Sequence, residues 1–194
     1  MNARVLQLID TMIELYGLTE RTAALMVDIG CFSEYKKGEQ VVSQGRSDNS
    51  EYFIIKGILR EYLITEEGVE VTLNFYNKGI ITPNSFRTKG GLSLISLQAL
   101  TPSEILVTNT NELNELRQRN KEVFSSSSAI LAKLFQDKIT NQINHASQSA
   151  TQRLKHFRRE FPDLESTVPN NYIASYLGIT NVSLSRLRKN LKKQ

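Results

Sequence analysis

The chain has 194 residues, 40% of them hydrophobic and 23% charged, with a net charge of +4, a composition suited to one compact globular domain or two small ones. Its apolar runs, such as "YFII" at 52–55, are far too short to span a bilayer. The N-terminal stretch carries Asp10 and Glu14 inside its apolar pattern and does not read as a signal peptide, and a single cysteine, Cys31, excludes an internal disulfide and a four-cysteine zinc or iron–sulfur site within one chain. A cytoplasmic protein is the expectation.

From the N-terminus, Val5, Ile9, Met12, Ile13 and Tyr16 share one helical face over residues 4–16. A second helix is predicted after Thr19, a suitable N-cap. From Cys31 the pattern changes to strand-like runs broken by Gly38, Gly45, Gly57, Gly68 and Gly79. The segments "EYFIIKG", "ILREYLIT" and "EVTLNFYNKG" are rich in aromatic and β-branched residues. Val71, Leu73 and Phe75 alternate with Glu70, Thr72 and Asn74, which predicts a half-buried strand with the first three inward. Two more strands are predicted, near 93–99 and 104–108. Strands at this spacing form a sandwich or barrel-like roll.

From Asn111 the period is helical again. "NELNELRQRN" is a short helix. Ser125 to Ser128 read as a capping stretch, followed by a long helix over 126–147. There Leu131, Phe135, Ile139, Ile143 and Ala146 form an apolar stripe, with Ile130 and Leu134 beside it. The stripe is wide enough to pack on its own domain and on a second helix, although an ordinary core helix would share the pattern. A further helix over about 149–161 stops at Pro162. His145 and His156 read as surface residues.

The charge is unevenly placed. Residues 148–194 hold nine Lys and Arg against three acids, and no acid follows Glu165. Such asymmetry fits a polyanionic partner, and a solvated basic tail is the alternative. The stretch "NYIASYLGITNVSLSRLRKNL" sits within this region. Pro169 suits a helix start, and Ile173, Ala174 and Leu177 face inward. Gly178 can take the left-handed conformation that ends a helix, and Thr180 is an N-cap for the next. Leu184, Leu187 and Leu191 mark the inner face of that next helix. Val182, Ser185, Arg186, Lys189 and Lys193 then lie on the outer face. This is the pattern of a helix-turn-helix, whose second helix enters the DNA major groove; a structural helical hairpin is the competing reading.

With both halves in view, the chain resembles the Crp/Fnr superfamily of bacterial transcription regulators over essentially its whole length. "YKKGEQVVSQGRSDNSEYFIIKGILREY" is similar to the opening of the family's cyclic-nucleotide-binding-like β-roll, including Gly38, Gly45 and Gly57. "VPNNYIASYLGITNVSLSRLRKNL" resembles the helix-turn-helix of a version common in Bacteroidetes-like regulators. The resemblance implies an α+β fold: an N-terminal antiparallel, jelly-roll-like β-roll with flanking helices as sensor domain (1–110), a helical linker and dimerisation helix (111–147), and a DNA-binding domain (148–194). It further implies a homodimer through Leu131, Phe135, Ile139 and Ile143, bound to double-stranded DNA, with RNA polymerase as a further partner.

Two departures from the family matter. Its nucleotide binders carry a glutamate for the ribose hydroxyl and an arginine for the cyclic phosphate. Here the corresponding stretch is "GIITPNSFRTKGGLSLISLQAL", and no acid occurs between Glu70 and Glu104. "GGLS" replaces the arginine followed by Ser/Thr and Ala. Arg87 and Lys89 remain as candidate anion contacts, with solvated loop residues the competing reading. Without an arginine fork a buried phosphate loses its strongest pairing. Cyclic AMP is therefore not expected as effector, no cofactor is assigned, and neither Cys31 nor the histidines suit a cluster or haem. The second departure lies in the reading helix. Asn181, Val182 and Arg186 align with the base-reading positions, and Val182 stands where a glutamate is common. The chain also stops at Gln194, so a β-wing after this helix is not expected.

The leading reading is a dimeric, sequence-specific DNA-binding regulator. A small-ligand or nucleotide-sensing module with another output is the alternative. An enzyme is not expected: two histidines and a cysteine form no nucleophile–base set, and "KGG" at 89–91 is no phosphate-binding loop.

Overall fold

The computed structural model describes residues 3–82 and 87–191. Lys193 and residues 83–86 of the nucleotide cassette lie outside them. The chain forms α1 (Ala3–Tyr16), α2 (Glu20–Asp28), β1 (Gly30–Tyr35), β2 (Gln40–Val42), β3 (Ser50–Lys56), β4 (Leu59–Ile64), β5 (Glu70–Tyr76), β6 (Gly79–Ile81), β7 (Ser96–Ala99) and β8 (Ser103–Asn109). The helices α3 (Thr110–Arg119), α4 (Lys121–Ser147), α5 (Ala150–Glu160), α6 (Leu164–Thr167), α7 (Asn170–Tyr176) and α8 (Asn181–Leu191) follow. The fold is α+β, as expected. Two compact units are present, 1–61 with 75–133, and 62–74 with 134–194.

In the first unit, α1 buries Leu8, Ile9 and Met12. The Oγ1 of Thr19 accepts from the Thr22 amide at 3.2 Å and caps α2, as its sequence position predicts. Two four-stranded sheets follow, in the orders β1-β8-β3-β6 and β2-β7-β4-β5. Neighbours come from distant parts of the chain, and β8 pairs antiparallel with both β1 and β3, the crossing pattern of a roll. Period-two alternation sends Tyr52 and Ile54 of β3 and Ile105 of β8 toward Val42, Leu59, Leu97 and Ala99 of the facing sheet. The space between the sheets therefore holds a cluster of the chain's own apolar side chains. Glu61, on the same face of β4 as Leu59, is buried and accepts from the Tyr76 hydroxyl. The Tyr16 hydroxyl accepts from the Ile80 amide at 2.7 Å. A Cβ on the neighbouring Gly79, at φ +90°, would lie 2.7 Å from that hydroxyl, so the close approach requires glycine.

Two local expectations give way. The serines at 125–128 do not start the long helix. It begins at Lys121, where the Asn120 side chain accepts from the Glu122 and Val123 amides. Ser125 and Ser128 instead donate to the carbonyls of Lys121 and Phe124, four residues back, which lets serine sit inside a helix. On β5, Phe75 is buried, but so is Thr72, while Leu73 is 38% exposed. The Thr72 amide donates to the Ser175 Oγ at 2.9 Å, so a segment a hundred residues away covers this part of the strand.

Along α4, Val123, Ser127 and Ile130 are buried. Leu131, Phe135, Ile139 and Ile143 are exposed, Phe135 to 66%, and Phe124 joins them. In this chain the stripe is an uncovered apolar face.

Candidate nucleic-acid interface

The second unit is built around Leu154, Phe157, Phe161, Leu164, Val168, Ile173, Tyr176, Leu177 and Leu184, all buried. A reciprocal capping box between Ser149 and Gln152 starts α5. Phe161 closes it, and Pro162 then prevents continuation. Pro169 caps α7, which ends on Gly178 at φ +63°. There the Gly178 amide donates to the Ser175 carbonyl and the Ile179 amide to the Ala174 carbonyl, both at 3.0 Å. Glycine makes this left-handed exit from a helix without strain. The Thr180 Oγ1 then accepts from the Ser183 amide at 3.2 Å and caps α8.

On α8, Leu184 is buried, and Leu187 and Leu191 are half-buried. Asn181, Val182, Ser185, Arg186 and Lys189 are exposed, Val182 to 60%. The structure thus brings the described residues of the sequence-derived set onto one outer face, with Thr180 exposed at its start.

Several cations in the basic segment point elsewhere. Arg153 donates through Nε (3.1 Å) and Nη2 (2.9 Å) to the Leu177 carbonyl, and through Nη1 to the Gln148 carbonyl at 2.6 Å. It clamps the turn between α7 and α8. Arg158 grips Glu165 with two bonds of 2.6 and 2.9 Å. Arg188, on the inner side of α8, donates to the same carboxylate at 2.7 Å and to the Asn170 Oδ1 at 2.7 Å. Glu165, the last acid of the chain, is therefore the rivet that fixes α8. Sequence reasoning missed this role; the signal was that Glu165 is the last acid before a stretch whose only charges are basic. His145 stacks edge-on against Tyr176, with ring centroids 5.5 Å apart, and burial followed by the Arg153 charge lowers its pKa.

Hydrogen bonding from Arg158, then from Arg188, holds the Glu165 carboxyl below its ordinary value of 4.5, against the opposing effect of burial. A carboxyl depressed in the folded state adds stability that is present above its unfolded pKa and is lost as pH falls through the folded one. Glu165→Gln is expected to destabilise the second unit at pH 7 by about 1–3 kcal/mol. In urea unfolding followed by circular dichroism, the difference from wild type should shrink as the pH falls below 4.5. A difference independent of pH would show that the carboxylate charge is not what holds α8.

Of the cassette residues, Arg87 is no solvated loop residue. Its guanidinium donates to Asp48 at 3.1 Å and to the Ser50 carbonyl at 2.9 Å, with only 7% of the side chain exposed. Lys89 is exposed. Among the described residues no helix is long and apolar enough to cross a membrane, and no group of three or more His, Cys, Asp or Glu could hold a metal ion.

Residues 32–120 match the model of the cyclic nucleotide-binding domain. The order of elements, a β-roll, a long helix and then C-terminal helices, is similar to that of several solved structures. Among solved structures, FixK2 from Bradyrhizobium japonicum superposes with a TM-score of 0.72 at 18% identity, covering 86% of each chain. The c-di-GMP responsive global regulator CLP of Xanthomonas campestris gives 0.69 at 16% identity, covering 90% of this chain and 92% of its own. The Thermus thermophilus catabolite activator protein gives 0.57 at 19% identity, with 92% and 85% covered. At these identities the likeness is one of fold. No curated protein sequence matches the chain.

Proposed function

We propose that this chain is a homodimeric, sequence-specific DNA-binding transcription regulator of the Crp/Fnr type, acting in the cytoplasm. The observation that carries this reading is the two-sided character of α8. Its leucines and Arg188 are committed inward, while Asn181, Val182, Ser185, Arg186 and Lys189 stand free on a face without an acid. A helix of this kind can lie in a major groove, with its first turns on base edges and its later cations on phosphates. The exposed stripe of α4 supplies the dimer seam, and a two-fold dimer would set its reading helices about 34 Å apart. Selection of bound sequences from random DNA tests the proposal. A palindromic motif is expected, and recovery of no motif would defeat it.

Val182 should leave its own mark on that motif. Valine has no acceptor for a cytosine amino group, but its methyls can pack on the thymine C5-methyl. The contact is modest, since burying one or two methyl groups yields roughly 1 kcal/mol. Val182→Glu is expected to shift preference at one position and to leave the fold intact, because the site is exposed. An unchanged motif would remove Val182 from the readout.

Cyclic AMP is not the effector in this reading. The cassette lacks an acid for the ribose, the Arg87 guanidinium is already engaged by Asp48, and apolar side chains occupy the space between the sheets. Titration calorimetry is expected to show no binding at micromolar nucleotide; a micromolar or tighter affinity would reverse this conclusion.

A further inference from the structure

The face of the β1-β8-β3-β6 sheet that points away from the roll interior borders a separate cavity of about 390 Å³. The alternate residues of the strands line it: Glu51 and Phe53 from β3, Leu106 and Thr108 from β8. Opposite them stand Met12 of α1, Met26 of α2, Arg117 of α3 and Ser127 of α4. The volume falls at the lower end of the roughly 300–1,000 Å³ typical of small-molecule clefts. The lining is mainly apolar, and Glu51, Thr82, Thr108, Arg117, Ser127 and Ser128 are among its polar members.

Two of these polar residues, Ser127 and Arg117, hold hydrogen-bonding capacity that the described residues do not use. Ser127 is only 7% exposed, and its buried Oγ has no hydrogen-bond partner among the described residues. Its neighbours Ser125 and Ser128 turn their hydroxyls back onto helix carbonyls, whereas Ser127 does not. The buried Nε of Arg117 is likewise unpartnered, although its Nη1 donates to the Asn114 Oδ1 at 2.9 Å. A buried polar group without a partner costs about 1–3 kcal/mol, so two at one cavity point to a ligand that supplies acceptors. The carboxylate of Glu51 lines the same cavity. It offsets the Arg117 charge and would repel a second anion.

We infer that this cavity is a binding site for an uncharged, medium-chain organic molecule whose carbonyl or hydroxyl oxygen accepts from Ser127 and Arg117. The site lies on the helix-covered face of the sheet, apart from the space between the sheets where apolar side chains pack. Its existence does not depend on the DNA-binding reading.

Methionine-methyl NMR on the full chain tests this directly, because the sequence has 3 methionines and two of them, Met12 and Met26, line the cavity. The probe is 2-nonanone, with nonanoate as the charged comparison. The Met12 and Met26 signals are expected to shift with 2-nonanone below about 1 mM while Met1 stays in place. Ser127→Ala, which removes a buried unpaired hydroxyl and should not impair folding, is expected to weaken binding about fivefold. Ser127→Leu fills the cavity and should abolish binding. Three outcomes overturn the proposal: no shift at Met12 and Met26, as when a second copy of the chain fills the cavity; equal shifts at all three methionines; or unchanged affinity in both Ser127 variants. Nonanoate binding as tightly as 2-nonanone would overturn the uncharged class.

Discussion

Phe135→Glu combined with Ile139→Glu is expected to give a folded monomer whose affinity for a two-fold DNA site falls by about 10²- to 10⁴-fold, the range that linked binding events contribute. Leu131, Phe135, Ile139 and Ile143 recur every four residues along α4, and all four are exposed, between 41% and 66%. An apolar patch of this kind on one chain marks an interaction surface. Burying each large side chain is worth roughly 1.5–3 kcal/mol, so a seam built twice over can outweigh the cost of association. Two glutamates per chain would place uncompensated charge in that seam. Because both positions are solvent-facing in the single chain, the circular dichroism spectrum and melting temperature should stay close to wild type. Light scattering reports the mass and fluorescence anisotropy the affinity. A dimer that persists with unchanged DNA affinity would move the seam elsewhere.

Arg186→Ala should cost about 1–3 kcal/mol on the selected site and relax preference at one base pair. Arg186 lies one and a half turns into α8, exposed. A guanidinium there can donate two parallel hydrogen bonds to the O6 and N7 of guanine, which carries sequence information. Lys189 stands a turn further on, where a cation meets phosphates; Lys189→Ala should weaken all sequences alike and reduce the salt slope by about one. The contrast between the two variants is the test. Equal losses on random and selected DNA for Arg186→Ala would make it a phosphate contact and leave base reading to Asn181 and Val182.

What could be read in the residues was what depends on near neighbours in the chain. Thr19 and Thr180 cap helices because a cap is satisfied within three residues. Gly178 ends α7 because a left-handed turn is a property of one residue. The leucine stripe of α8 defined its outer face, since a helix repeats every 3.6 residues wherever it sits. The roll was legible from strand spacing and glycine turns, although its strand order was not. That order joins β1 to β8 and β2 to β7, pairings whose partners lie far apart in the chain.

The pairings across long separations were decided only in the tertiary structure. Arg87 appeared as a loop cation and is buried against Asp48, 39 residues earlier. Arg153 and Arg188 counted toward a basic surface, yet one clamps the Leu177 carbonyl and the other the Glu165 carboxylate. Thr72 is covered and Leu73 exposed because Ser175 reaches the strand from 103 positions away. Net charge and periodicity are sums over local positions, so by itself the sequence determined the element types, the caps at Thr19 and Thr180 and the face of α8. Which cations remain free, and which cavity keeps unused donors, depends on where distant side chains meet, and folding alone brings them together.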